Sequence, residues 1–271
     1  MEDEPERKSA MHESSFSLRL EGLEMQFRRV RLHSREWLTP GYVRMRLVGD
    51  ELIGFTSLGA DDHIRIFFPE GEPETVEELR AAPSREYTPA RFDADWLDLE
   101  FAVHGDPAAG TGGVAAAWAA SAPIGALAGV GGPRGSKVVD GRPDFWMLAG
   151  DETAVPAMRR FAGLMDDQAR GRVLVEVADA AHELPIDAPA GVVVEQVHRG
   201  STAPGSALAA RLSALGAGQR PSGSILGFVA AEQSIVKPGR ELLLERWGVP
   251  AEQTVIKGYW RRGETSEKKP R

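Results

Sequence analysis

From Phe27 onward, apolar positions alternate with polar ones. Val30 and Leu32, then Val43, Met45 and Leu47, fall every second residue among arginines and other polar side chains. A period of two places one set of side chains on a single face, so two strands are predicted. Leu38-Thr39-Pro40-Gly41 interrupts the alternation and reads as the turn between them. His63–Pro69 is a further strand, stopped by its Pro. Trp96–His104 is a strong one, with Leu97, Leu99, Phe101 and Val103 alternating. Glu86–Arg91 and Ala126–Gly129 complete the set. The acidic stretch Glu70–Ser84, with Pro73 and Pro83, is expected to be an exposed loop with room for one helical turn. Short strands, frequent turns and one short Ala-rich helix, Val114–Ala122, predict a small antiparallel barrel.

After Gly141-Arg142-Pro143 the pattern changes. Phe145–Ala149, Arg172–Val177, Val192–Val197, Ser224–Ala230 and Thr254–Tyr259 read as strands separated by helices. The first helix is predicted to run to about Gln168, with Val155, Met158, Phe161 and Met165 on one face and Pro156 tolerated in its first turn. Ser206–Leu215 and Val236–Trp247 are the others. Apolar strands alternating with helices predict a parallel sheet covered on both faces. The fold class is therefore an antiparallel β-barrel followed by an α/β domain. The expected division is a flexible tail over 1–20, the barrel over 21–140, the α/β domain over 141–263 and a second tail over 264–271.

Composition narrows the function. A length of 271 residues suits two domains. The lack of cysteine rules out disulfides, thiolate metal sites and a Cys nucleophile. A net charge of −8 argues against wholesale nucleic-acid binding and leaves room for a local basic pocket. The N-terminal sequence has no signal-peptide core and no apolar run reaches spanning length, so a cytoplasmic protein without membrane insertion is expected. The six histidines form no i, i+4 pair and no carboxylate cluster, which argues against a metal site. Neither a Gly-x-Ser-x-Gly elbow nor a P-loop occurs, and the α/β half lacks Gly-x-Gly-x-x-Gly.

The most suggestive chemistry lies in Ser84-Arg85-Glu86-Tyr87-Thr88-Pro89-Ala90-Arg91-Phe92. Tyr offers a flat face with a polar tip, Thr a small donor and acceptor, and Arg a planar fork matched to phosphate oxygens. A ligand aromatic at one end and phosphorylated at the other, a flavin nucleotide, suits this grouping; the alternative is a strand end with solvated charges. Gly150-Asp151-Glu152-Thr153 occupies the first strand-to-helix turn of the α/β half, where ligands of such sheets collect and Gly150 would permit close approach. Gly131–Lys137 makes a basic corner between the halves, with Arg134 and Lys137. Lys257-Gly258-Tyr259-Trp260-Arg261 puts aromatics and cations at the last strand. His104 ends a strong strand, as either a satisfied strand-end histidine or a donor to a cofactor.

Taken in order, these pieces resemble the siderophore-interacting proteins, FAD-containing ferric-siderophore reductases within the wider ferredoxin-reductase group. The resemblance runs from about Phe27 to Gly263. It rests on Leu38-Thr39-Pro40-Gly41, Arg85-Glu86-Tyr87-Thr88-Pro89, Phe101-Ala102-Val103-His104-Gly105 and Ala116-Ala117-Trp118-Ala119. Gly132-Pro133-Arg134-Gly135-Ser136, Leu148–Pro156 and Gly258-Tyr259-Trp260-Arg261 extend it. There are three departures. Ala90 stands where the family usually has Arg, with Arg91 one place late; Asp106–Gly113 lengthens the helix entry; and Ala230-Ala231-Glu232 replaces a Gly-Glu ending.

The resemblance implies an FAD-binding barrel and a domain like those that bind NAD(P)H. It assigns Arg85, Tyr87, Thr88, Arg91, Val103, His104, Ala115 and Trp118 to FAD, and Asp151, Thr153 and Trp260 to the cofactor region where the nicotinamide nucleotide approaches. Arg134, Lys137, Lys257 and Arg261 become the substrate-binding cations. The implied function is electron transfer from NAD(P)H, or from a small redox protein such as a ferredoxin, to a ferric siderophore, with no catalytic side chain because the flavin carries the chemistry. A reductase of the same architecture with another acceptor, or a siderophore-binding protein that has lost flavin, are the alternatives.

Overall fold

The computed structural model describes residues 16–103 and 113–263. The described chain begins with β1 (Phe16–Gly22). The next strands are β2 (Phe27–Thr39), β3 (Tyr42–Val48), β4 (Ile64–Phe67), β5 (Ser84–Tyr87), β6 (Arg91–Phe92), β7 (Trp96–Ala102) and β8 (Leu127–Gly131). They form one antiparallel sheet in the order β5-β4-β8-β2-β3-β7-β6. Its two edges, β5 and β6, are joined by Thr88-Pro89-Ala90 alone. Three residues reach only about 10 Å, so the sheet must curl until its edges nearly meet. Pro89 has no N–H to extend a ladder across the gap, and the Ala90 N–H turns instead to the Asp98 carbonyl at 2.9 Å. The result is a barrel with a seam at Thr88–Ala90.

Alternation decides what faces each way. Val30, Leu32, Val43, Met45, Leu47, Leu97, Leu99 and Phe101 fill the barrel core. The intervening β7 residues Asp98 and Glu100 point out, directly opposite Arg46 and Arg44 of β3. Within the stretch expected as a loop, α1 (Val76–Ala81) forms because Thr75 and Glu78 make a reciprocal capping box, and Leu79 anchors it in the interior. Helix α2 (Gly113–Ser121) packs Ala115 and Ala119 onto the barrel core.

Residues 16–20, expected in the flexible tail, belong instead to β1, which pairs along its whole length with β9 (Gly135–Gly141). A short alternation beside a charged tail was too weak to mark a strand; its partner supplies the missing hydrogen bonds, and Phe16 is buried. The basic corner Gly131–Lys137 thus runs directly into a strand.

The second sheet is parallel, as expected. Its strands are β10 (Phe145–Asp151), β11 (Gly171–Val177), β12 (Val192–His198), β13 (Ile225–Glu232) and β14 (Thr254–Trp260), in the order β12-β11-β10-β13-β14. Helices α3 (Val155–Ala162), α4 (Ser206–Ser213) and α5 (Val236–Arg240) join them, and separate apolar clusters lie on the two faces. Helix α3 stops at Gly163 rather than near Gln168, although Met165 still packs on the core. Helix α5 continues as a π-helical segment over Glu241–Arg246.

Candidate functional site

The seam gathers several of the expected residues. Tyr87 lies against Phe101, ring centroids 4.2 Å apart, and Trp118 of α2 packs against Phe68 (5.3 Å) and Phe101 (6.3 Å). Val103 joins the same cluster and Ala115 is buried beneath it. Burial pushes the Tyr87 phenol well above its ordinary pKa, with the Arg85 charge opposing, so the hydroxyl stays protonated and able to donate. Arg85 donates to the neighbouring Ser84 carbonyl at 2.8 Å through one nitrogen, leaving the rest of its donor fork available. His104 and the lengthened helix entry lie outside the described residues, apart from Gly113.

Thr88 is buried beside the Tyr259 hydroxyl, which donates to Asp61. The same carboxylate receives the Lys257 ammonium at 2.5 Å. Asp61, on the loop before β4, therefore ties the last strand to the barrel seam. Beside it, Asp62 accepts from Ser57, from the Gly59 N–H and from Ser136 of β9 at 2.6 Å. One loop thus joins the seam, the basic corner and the last strand. Lys257, expected as a substrate cation, already has a buried counter-ion. Arg134 and Lys137 are exposed, with no ion-pair partner among the described residues, and Arg261 is exposed just past β14.

Arg91, expected at the cofactor, lies elsewhere. The two-residue β6 sets it opposite Asp98, and its guanidinium binds that carboxylate at 3.0 Å on the outer face. Arg46 holds the same buried group bidentately at 2.7 and 2.9 Å. The arginine that reaches the seam is Arg160 of α3. Its Nη1 donates to Ser57 Oγ (2.8 Å) and the Pro89 carbonyl (3.3 Å), and its Nη2 to the Ser57 carbonyl (2.7 Å). The adjacent Arg159 spans both oxygens of Glu100, at 2.9 and 2.8 Å. Two neighbouring side chains on one helix thus clasp the barrel. Nothing in the local sequence marks Arg160, Asp61 or Glu100, since each partner lies far away along the chain.

At the first turn of the parallel sheet, Asp151 is almost fully buried. Its Oδ1 accepts from the Thr153 N–H and hydroxyl, and its Oδ2 from the Glu232 N–H (3.0 Å) and Trp260 Nε1 (2.8 Å). Burial and the neighbouring Glu152 push its carboxyl up to about 7, against the pull of these donors. Asp151, Thr153 and Trp260 are indeed together, but as a brace joining β10, β13 and β14. Gly150 is also not a place for ligand approach: a Cβ there would stand 2.5 Å from Ala154 Cβ and 2.7 Å from the Ala230 carbonyl. The glycine lets the helix entry sit on the sheet.

A curled antiparallel sheet with an aromatic-floored seam, clasped to a parallel sheet, is the architecture of two-domain FAD-dependent reductases. Residues 31–137 match the siderophore-interacting FAD-binding domain and residues 143–263 the siderophore-interacting protein domain. The chain belongs to the siderophore-interacting protein family. It is 30% identical over 247 residues to the ferric vibriobactin reductase ViuB of Vibrio cholerae, covering 86% of this chain and 89% of that one. It is 36% identical over 149 residues to the NADPH-dependent ferric-chelate reductase of Escherichia coli, covering 51% and 56% respectively. A siderophore utilization protein from T. fusca has the same fold, with a TM-score of 0.79 and 33% identity over 91% of this chain and 97% of that one.

The seam fits FAD. The half-buried rings of Tyr87 and Trp118 provide flat apolar surface backed by buried Phe68 and Phe101, and Arg85 has donors left for phosphate. Helix α2 has no acidic residue in its first turn, and the free N–H groups of a helix start favour an anion.

Proposed function

We propose that this protein is an FAD-dependent reductase that moves electrons from a nicotinamide donor to a ferric siderophore and releases the iron as Fe(II). The seam carries the proposal: an aromatic floor, a buried hydroxyl and an arginine with unused donors converge where two sheet edges meet. Bound FAD would supply the exchange between a hydride donor and a one-electron acceptor. The residues around it bind, orient and shield. Arg85 and the start of α2 would take the phosphates, Tyr87 and Thr88 would position the ring, and Arg160 would hold the Thr88–Ala90 turn from behind. Arg134 and Lys137 would attract an anionic ferric chelate to the rim. Lys257 would contribute less charge, because Asp61 neutralises it. The names of the Vibrio and Escherichia relatives, both ferric reductases, support the acceptor.

The reading places the reaction in the cytoplasm; among the described residues, no helix is long and apolar enough to cross a membrane. Anaerobic mixing tests the function. The purified protein should be yellow or become so with FAD, bleach with NADH, NADPH or reduced ferredoxin, and regain its colour when a ferric siderophore is added, with Fe(II) appearing in a ferrous-specific chelator. A protein that stays colourless with FAD, or chemically reduced flavoprotein that a ferric siderophore fails to reoxidise, removes the reading.

A further inference from the structure

We infer that the acceptor is an amphiphilic ferric siderophore, an anionic chelate carrying an apolar arm, and that Leu20, Met25 and Leu58 hold that arm beside Arg134 and Lys137. This substrate class rests on the reductase reading above and concerns the same rim. Three large apolar side chains stay in water here: Leu20 is 75% exposed, Met25 57% and Leu58 45%. Isolated apolar side chains are ordinary on a protein surface; a group of them framed by polar residues marks a site.

The backbone brings these three to one corner. Leu20 of β1 is the cross-strand partner of Lys137 of β9, so the two side chains share a face. Leu58-Gly59 runs along the other edge of β9. The Leu58 N–H donates to Ser136 Oγ at 3.2 Å, and a Cβ on Gly59 would stand 2.6 Å from the Lys137 carbonyl oxygen. The turn after β1, which contains Met25, follows the residues just before β9. There the Leu23 N–H donates to the Arg134 carbonyl at 3.1 Å, and the Gly132 N–H to the Gln26 carbonyl at 3.0 Å. Lys137 is therefore flanked by Leu20 and Leu58, and Arg134 by the Met25 turn. The corner adjoins the seam: Ser136 donates to Asp62, and the neighbouring Asp61 receives Lys257 and the Tyr259 hydroxyl beside Thr88.

The charges of this corner are free for a ligand. Arg134 and Lys137 are exposed, with no ion-pair partner among the described residues. The carboxylates of the same ribbon, Glu21 and Asp140, lie on its opposite face, where both pair with Arg19. Long cationic side chains can lay their stems over apolar neighbours, yet Leu20 keeps 75% of its surface in water, so neither stem covers it. A wholly hydrophilic anion would use the two cations and leave the three apolar groups wet. A wholly apolar ligand would leave the cations unused. An anionic chelate with an apolar arm uses both, its oxygens meeting the guanidinium and ammonium while the arm takes Leu20, Met25 and Leu58 out of water.

Calorimetric titration of the full-length flavoprotein with two gallium(III) chelates tests this without turnover: a tris-catechol chelator, and the same chelator bearing an octyl chain. Gallium(III) keeps the charge and coordination of iron(III) and takes no electron from the flavin. The octyl chelate should bind roughly tenfold more tightly or better. Leu20→Ser combined with Leu58→Ser should narrow that ratio by about threefold. Arg134→Ala should weaken both chelates alike, and Leu164→Ser, at an exposed leucine beyond α3, should leave the ratio unchanged. Equal binding of the two chelates, binding of neither, or a ratio unmoved by the double substitution overturns the inference. So does a ratio that Leu164→Ser lowers as much. If the inference falls while the iron(III) forms still reoxidise chemically reduced flavoprotein, the reductase reading stands. Failure of that reoxidation would instead remove the reductase reading itself.

Discussion

The barrel seam and the carboxyl end of the parallel sheet are both sites where strands stop, yet they treat polar groups in opposite ways. At the seam, Arg85 makes one bond to its neighbour's carbonyl and keeps donors to spare, beside an aromatic floor. At the parallel end, Asp151, Glu176 and Glu232 are buried and satisfied by backbone N–H groups, hydroxyls and an indole of the protein itself. One region is prepared for an anionic aromatic ligand; the other is acidic and largely closed on itself. Position at a strand end therefore says little about ligand binding until the local donors are counted. The contrast also separates the two arginine neighbours of the seam motif: Arg91 serves the outer face, and Arg160, from the other sheet's helix, serves the seam.

The largest expected effect is on the clasp that holds the two regions in register. Glu100→Ala removes a buried carboxylate shared by Arg44 and Arg159 and should destabilise the protein by about 3–5 kcal/mol in urea unfolding. A loss below ~1 kcal/mol would mean the clasp is ornamental. Arg160→Ala should cost roughly 2 kcal/mol and weaken FAD retention, read by flavin fluorescence, because the Pro89 carbonyl and Ser57 lose their donor. Unchanged flavin affinity would detach α3 from the seam.

A smaller effect concerns Asp151. Its folded pKa of about 7 lies above its ordinary value, so its contribution to stability is full below about pH 4 and is lost as pH rises through 7. Between pH 5 and 8 the wild type should lose more thermal stability than Asp151→Asn. Parallel curves would show that the four donors keep the carboxylate charged throughout. The smallest effect is at the rim. Arg134→Ala should raise KM for an anionic ferric siderophore by about threefold, with stability changed by less than ~0.5 kcal/mol. It is a cleaner probe than Lys257→Ala, which would leave buried Asp61 with Tyr259 as its remaining side-chain donor.

Much of this molecule was legible along the chain, because periodicity is a local property. Leu97, Leu99 and Phe101 announced a strand and their inward face; Val155, Met158 and Phe161 announced a helix. Tyr87, Val103, Ala115 and Trp118, each read from the sequence as an FAD contact, lie in or against one apolar cluster of the barrel. Strand β1 escaped notice because its alternation spans few residues beside a charged tail and needs β9 to complete its hydrogen bonds. Arg91 was misplaced because a motif records order, not the direction a side chain takes from a two-residue strand.

The sequence alone settled two sheets of different type, the absence of thiol chemistry, and a Tyr-Thr motif with an arginine suited to a flavin. Those depend on composition and on patterns a few residues long. Only the tertiary structure decided which charges remain available. Lys257 is neutralised by Asp61, Arg199 by Glu152 and Arg91 by Asp98, while Arg134 and Lys137 stay unpaired among the described residues. Ion pairing depends on distances of a few ångströms between residues that can be widely separated along the chain, and folding alone brings them together.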